Sequence, residues 1–209
     1  RAGALQGFGL KTYDKSVLDF LIEGRIGKLR EYLFINLPKY APEFTKNSVH
    51  FTQNHDEPDA LDAFGTVERE MAATVVILGI EGYPLVPLRQ IYGMKKPQGA
   101  RLECKSPDAA IYEYLYEVMN EGVFKEFKKI LPIMARDIFR KSDMYSAKLE
   151  MPNQEGLERG KLIPIARHLS GEGDGIVVVN QDSKSEKVVI DLENVYGYYP
   201  HNGPRFIKN

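Results

Sequence analysis

The sequence has no tryptophan and one cysteine, Cys104. A single cysteine excludes an internal disulfide and any cysteine-based zinc site. No histidine nearby in sequence would activate it, so its expected role is that of a small buried hydrophobe. No apolar run reaches the roughly 18 residues of a membrane span; the longest, Val75 to Ile80, is a core segment. Neither sign of charge dominates, with 28 Lys and Arg against 29 Asp and Glu, and there is no basic block. Neither nucleic acid nor an anionic membrane is therefore expected as a partner. No cofactor and no metal is expected either. A neutral, hydrogen-bonding ligand is compatible with this balance, and stacking on it would fall to the 12 Tyr and 10 Phe. An initiating methionine is also lacking: the chain starts at Arg1 and soon enters a strand-like run. This predicts that an earlier segment is missing, so the compartment stays open.

What is present is enough for one or two globular domains in 209 residues. Leu5 to Tyr13 reads as a short strand, and Asp14 can cap a helix with Val17, Leu18, Leu21 and Ile22 on its apolar face. Ile26, Leu29, Leu33 and Leu37 mark a second helix, which Pro38 is expected to end. After a loop comes a strand over Ser48 to Gln53. Thr66 then caps a helix carrying Val67, Met71, Val75 and Leu78, broken by Gly79 and Gly82 before a strand at Tyr83 to Val86. Lys95 to Lys105 reads as a polar loop over the site. A helix is expected from Ser106, with Ile111, Leu115 and Val118 buried and Tyr112, Tyr114 and Tyr116 in packing roles. It stops at Asn120 to Gly122, and another runs from about Lys125 to Phe139, kinked or broken at Pro132.

The character changes near Lys148. Met151 to Gly160 is linker-like, and Leu162 to Leu169, Gly175 to Asn180 and Lys187 to Leu192 are β runs between turn-rich spacers. The first spacer, SGEGDG, leads into a strand and reads as a hairpin turn, not a phosphate loop. Arg167 and His168 are expected at the surface of their strand.

The chemistry concentrates in one stretch. Ser48 to Gln53 is strand-like, then Asn54-His55-Asp56-Glu57 turns polar and Pro58 stands where a helix tolerates proline. Three readings compete. Asp56 is a helix N-cap and His55 a loop residue; or His55-Asp56 is a metal-binding pair of a helical phosphohydrolase; or the corner is catalytic, as at strand carboxyl ends of α/β folds. The second needs the pair on a helix, and His50 and His55 lie on opposite faces of a strand.

The third reading rests on resemblance. FTQNHDEPDA, Phe51 to Ala60, resembles the Asn-His-Asp motif that ends barrel strand seven in the α-amylase family of glycoside hydrolases. Gly7-Phe8 and Thr12-Tyr13-Asp14-Lys15 resemble its strand six, and EGYPLVPLRQIYG, Glu81 to Gly93, its strand-eight segment. Gly82, Gln90 and Gly93 match that segment, whereas Arg89 and Ile91 replace a glycine and a glutamate. Weaker similarity continues to about Leu192. The resemblance implies that Asp56 stabilises the transition state and that His55 contacts the sugar. It also makes Asn54, Arg89 and Gln90 the further substrate-binding candidates.

It implies a fold as well: an α/β chain forming about strands six to eight of a (β/α)8 barrel over residues 1–147. A small antiparallel β-sandwich would follow over 148–209. A whole barrel takes roughly 250 residues. The retaining mechanism needs two carboxylates roughly 5–5.5 Å apart, which the resemblance assigns to strands four and five, outside this chain. The expected partners are an α-glucan or oligosaccharide and the missing N-terminal part of the barrel. Two functions follow: part of an α-glucan hydrolase or transglycosylase, with this chain inactive alone, or a non-catalytic module for binding or assembly. Intact His55-Asp56 favours the first, Arg89 and Ile91 the second.

Overall fold

The computed structural model describes residues 5–7, 9–95, 119–146, 149–150, 162–171, 173–182 and 189–190. Phe8, Cys104, the loop beyond Lys95, the helix from Ser106 with its three tyrosines, and the Met151 to Gly160 linker lie outside the described residues, as do the ends of the last β run.

The first part is a three-stranded parallel sheet in the order β1 (Thr12–Tyr13), β2 (Ser48–Phe51), β3 (Tyr83–Leu85). Thr12 stands opposite Ser48, and Phe51 opposite Leu85. Parallel neighbours require long crossovers, and helices supply them here. Leu5 and Gln6 are helical, so the expected strand shortens to Thr12–Tyr13. Gln6 Nε2 instead donates to Thr12 Oγ1 at 2.7 Å, using its side chain where backbone pairing was expected.

Asp14 caps α1 (Lys15–Ile22) by accepting from the Ser16 amide, as its sequence position predicts. Pro38 does not end the next helix. After α2 (Ile26–Glu31) the chain widens into a π-turn, Tyr32–Asn36, before α3 (Leu37–Tyr40). The Leu37 amide donates to the Tyr32 carbonyl, a longer reach than in an α-turn. This takes up the register where Pro38 has no N–H to offer.

Asp59 precedes α4 (Ala60–Phe64), and Thr66 caps α5 (Val67–Gly79) by accepting from the Arg69 amide. Gly82 then takes φ +106°, and a Cβ there would stand 2.5 Å from the Thr45 carbonyl oxygen and 2.7 Å from that of Ser48. Only glycine lets β3 enter so close beneath β2. After β3 come α6 (Leu88–Ile91), α7 (Glu121–Met134) and α8 (Asp137–Arg140). Asn120, expected as a breaker, caps α7 by accepting from the Val123 amide. Pro132 lies inside that helix, and the break falls at Ala135 and Arg136.

The second sheet is antiparallel, in the order β4 (Asp143–Ser146), β6 (Leu162–Leu169), β7 (Gly173–Asn180). The β6–β7 hairpin pairs Leu169 with Gly173, so SGEGDG is a turn. A two-stranded pair joins β5 (Leu149–Glu150) to β8 (Val189–Ile190). The parallel and antiparallel sheets are separate, but β4 begins ahead of residue 148, and Met144, Ile163, Ile165 and Val179 share one core with Leu18, Phe51, Phe64 and Ile77.

Arg167 corrects the surface assignment: it is only 2% exposed. β6 is the central strand, and its guanidinium turns into the seam between the sheets. It donates to the Gly79 carbonyl at 3.0 Å and to the Ser142 carbonyl at 2.6 Å. The first of these is an orphan carbonyl at the end of α5.

Candidate active site

Three strand ends meet at the carboxyl edge of the parallel sheet. β1 delivers Asp14 and Lys15, β2 runs on into Asn54-His55-Asp56-Glu57, and β3 leads to Arg89 and Gln90 on α6. The corner after β2 is held by Asn54. Its side-chain oxygen accepts from the Asp56 amide at 2.8 Å and the Glu57 amide at 2.9 Å, so an Asx turn bends the chain out of the strand. Glu57 is tied from the start of α1, just beyond β1, with Lys15 Nζ 3.0 Å from its carboxylate. Lys15 also bonds Asp19 at 2.9 Å, and its pKa is raised first by Asp19 and then by Glu57.

This turn leaves His55 and Asp56 facing out, with side chains 74% and 73% exposed and His55 Nε2 3.2 Å from Asp56 Oδ2. Asp56 is not a helix cap: α4 starts at Ala60, with Asp59 in the cap position. The Ala60 amide is taken by Gln53 Oε1 at 2.8 Å. The N-cap reading thus loses its geometry. The pair also ends a strand, as the metal-pair reading cannot accommodate. Among the described residues no three His, Cys, Asp or Glu side chains gather to hold a metal ion.

Arg89 and Gln90 are placed less openly. Arg89 Nη2 donates to the Asn54 carbonyl at 3.1 Å and lies 3.3 Å from Asp59 Oδ1. Gln90 is 1% exposed, and its Nε2 lies 2.7 Å from Thr52 Oγ1 and 3.3 Å from both Glu70 Oε1 and Thr74 Oγ1. The amide braces the end of β2 against α5. Asn54, too, is buried and builds the turn. Of the five candidates, only His55 and Asp56 present exposed side chains.

Sequence reasoning missed the layer beneath. Glu70 is 1% exposed on α5, and burial raises its carboxyl to about 7; Gln90 pulls the other way and Asp59 adds to the rise. His50, fully buried on β2, is lowered to about 4 by burial, against the opposing carbonyls of Thr45 and Glu81. Its Nδ1 lies 3.8 Å from Asp14 Oδ2. Asp14, bonded by Tyr32 at 3.2 Å, is raised by burial. Nothing in the local sequence marks Glu70 or His50 as buried, because residues distant in the chain cover them; Asp14 is legible only as a cap.

No protein-family model matches the sequence, nor does any curated protein. Solved structures do. A noncanonic maltogenic α-amylase from Thermotoga neapolitana matches 88% of this chain at TM-score 0.59 and 17% identity. A cyclic α-maltosyl-(1→6)-maltose hydrolase from Arthrobacter globiformis matches 86% at TM-score 0.61 and 15% identity. The chain has part of an α-amylase-type fold. A cyclomaltodextrinase adds a third likeness, over 79% of this chain at TM-score 0.58 and 18% identity. The chain spans only 41%, 42% and 27% of these three amylase-type structures. In barrels of this kind, functional side chains gather at strand carboxyl ends, the edge where His55 and Asp56 stand.

Proposed function

We propose that this chain forms the strand-six-to-eight part of an α-glucan-acting, retaining hydrolase or transglycosylase. In that reading Asp56 faces the positive charge that develops at the anomeric carbon, and His55 contacts the sugar at the cleavage point. The nucleophile and the acid/base lie on strands outside these residues. One observation carries the reading: an exposed His–Asp pair at the carboxyl end of the central parallel strand, propped from both neighbours by Lys15–Glu57 and Arg89–Asn54. Asn54, Arg89 and Gln90 then serve the substrate by fixing the corner. A preorganised carboxylate beside an oxocarbenium-like centre contributes several kcal/mol to such a step.

The proposed partner is the remainder of the barrel. β1 and β3 each pair on one side only among the described residues, and Leu10, Tyr13 and Leu88 are exposed. Unpaired edges and apolar surface of this kind call for a covering chain. In this reading the barrel part ends ahead of β4, and the appended β domain begins at Asp143 instead of the expected residue 148, because Asp143–Ser146 pairs with β6. The test is to join this chain to the rest of the barrel and assay an α-glucan with and without Asp56→Asn.

A second reading is a non-catalytic amylase-like module for carbohydrate binding or assembly. The burial of Gln90 and the engagement of Arg89 favour it, since both are spent on the fold. Saturable glucan binding by the completed protein without turnover would select it.

A further inference from the structure

Opposite the edge that carries His55 and Asp56, a cavity of about 440 Å³ opens where Lys46 leads into β2 and where Gly82 and Tyr83 begin β3. The turn from α8 into β4 forms its other side, with Arg167 of β6 behind. Its volume is that of a small-molecule site.

Charge in its walls is unbalanced. Lys46, Arg140, Lys141 and Arg167 line it against two acidic residues, Glu81 and Asp143. Two of the bases have carboxylate partners: Lys46 Nζ stands 3.3 Å from Asp143 Oδ1, and Lys141 Nζ 2.6 Å from Asp137 Oδ2. Two guanidinium groups then face one carboxylate, Glu81, whose Oε1 accepts from the Met144 amide at 2.6 Å. Arg140 is exposed, and its guanidinium makes no ion pair or hydrogen bond among the described residues.

Arg167 carries its charge into the interior. Almost fully buried, it meets only neutral groups: Nε donates to Ser142 Oγ at 2.8 Å, Nη1 to the Gly79 carbonyl and Nη2 to the Ser142 carbonyl. A guanidinium has five N–H groups, so two remain to be used. Burial is the largest influence on its pKa and lowers it, while Glu81 and Asp143 pull the other way. Those carboxylates therefore do not offset the cost of burying the charge, which an anion in contact would reduce.

An entering anion meets cations from three separate elements: Lys46 ahead of β2, Arg140 at the end of α8 and Arg167 on β6. A phosphate ester offers three acceptor oxygens in different directions and close to two negative charges at pH 7, whereas a carboxylate offers two oxygens in one plane. A bare phosphate would fill only a small part of the cavity. Leu78, Leu131, Met134 and Phe139 add an apolar wall beside the half-exposed ring of Tyr83. We propose that this cavity binds a small organic phosphate monoester, its phosphate toward Arg140 and Arg167 and its carbon body against the apolar wall. Asp143 then weakens the site by holding Lys46. None of this depends on the role assigned to Asp56.

The 209-residue chain, labelled with nitrogen-15, is titrated with phenyl phosphate, inorganic phosphate and benzoate. Phenyl phosphate should give saturable shifts of the Gly82, Tyr83 and Ser142 amides, and the other two should bind at least about threefold more weakly. Arg140→Ala should weaken phenyl phosphate binding about three- to tenfold, as loss of one charged hydrogen bond does. Asp143→Asn should tighten it about two- to fivefold by releasing Lys46. Both side chains are exposed, so both variants keep the fold. Lys28→Ala removes a like charge on α2, away from the cavity, and should leave binding unchanged. No saturation by phenyl phosphate overturns the proposal. Equal affinity for benzoate overturns it by removing the phosphate, and equal affinity for inorganic phosphate by removing the carbon body. An equal loss in Arg140→Ala and Lys28→Ala also overturns it, because overall charge alone would then account for the binding.

Discussion

Arg89 reaches across from the segment after β3 and donates to the carbonyl oxygen of Asn54 at 3.1 Å. The family pattern has glycine at this position. Here the long side chain clamps the corner that presents His55 and Asp56, and it neutralises the nearly buried Asp59 at 3.3 Å. Arg89→Ala should therefore cost about 1–3 kcal/mol of stability, because it leaves a carboxylate and a carbonyl short of a donor. Urea unfolding of the two proteins measures it. A change below about 0.5 kcal/mol would show the clamp to be incidental.

Asp56 offers a cleaner separation of function from fold. Its side chain is largely exposed and caps no helix, so Asp56→Asn and Asp56→Ala should each change stability by no more than about 0.5 kcal/mol. In the completed barrel, Asp56→Asn should lower turnover on an α-glucan by about a hundredfold or more at an unchanged Tm. Equal turnover in the variant would remove Asp56 from the chemistry.

Glu70 should make stability fall with rising pH. Its folded pKa, about 7, lies above the ordinary 4.5. The folded state thus holds the proton more tightly, and the contribution is complete below about pH 4.5 and lost as pH rises through 7. The linked free energy amounts to about 3 kcal/mol. Glu70→Gln keeps the shape and removes the titration. Subtracting its unfolding free energy from that of the parent between pH 4 and 8 should isolate the slope; a flat difference would refute it.

His50 works in the opposite sense. Its folded pKa, about 4, lies below the ordinary 6.5. Stability from this site is present above pH 6.5 and is lost as pH falls through 4. Imidazole nitrogen shifts should show His50 neutral at pH 5.5 in the folded chain. An imidazolium signature there would mean that the ring is not buried as described.

Gly82 tests the close approach of β3 to β2. Gly82→Ala places a Cβ against two backbone carbonyls at a φ of +106°. The loss should exceed about 2 kcal/mol, combining backbone strain with a clash that no side-chain rotation relieves. A soluble variant with an unchanged Tm would contradict this geometry.

Much of this was legible locally. The Asp14 and Thr66 caps and the turn of the β6–β7 hairpin depend on contacts within a few residues, so the sequence carries their signals directly, and the Ser48 strand shows its β-branched and aromatic pattern although its partners are distant. The polar switch at Asn54 likewise marked the corner. Tertiary structure decided what no local signal encodes. Arg167 looks like any strand arginine until β4 and β7 flank its strand and the end of α5 presents a carbonyl. Gln90 looks like a sugar contact until Thr52 and Glu70, 38 and 20 residues away, close over it. Pro38 looks like a stop until a π-turn absorbs its missing donor. Local hydrogen bonds set where elements begin and bend, whereas burial and charge pairing depend on which distant elements pack together.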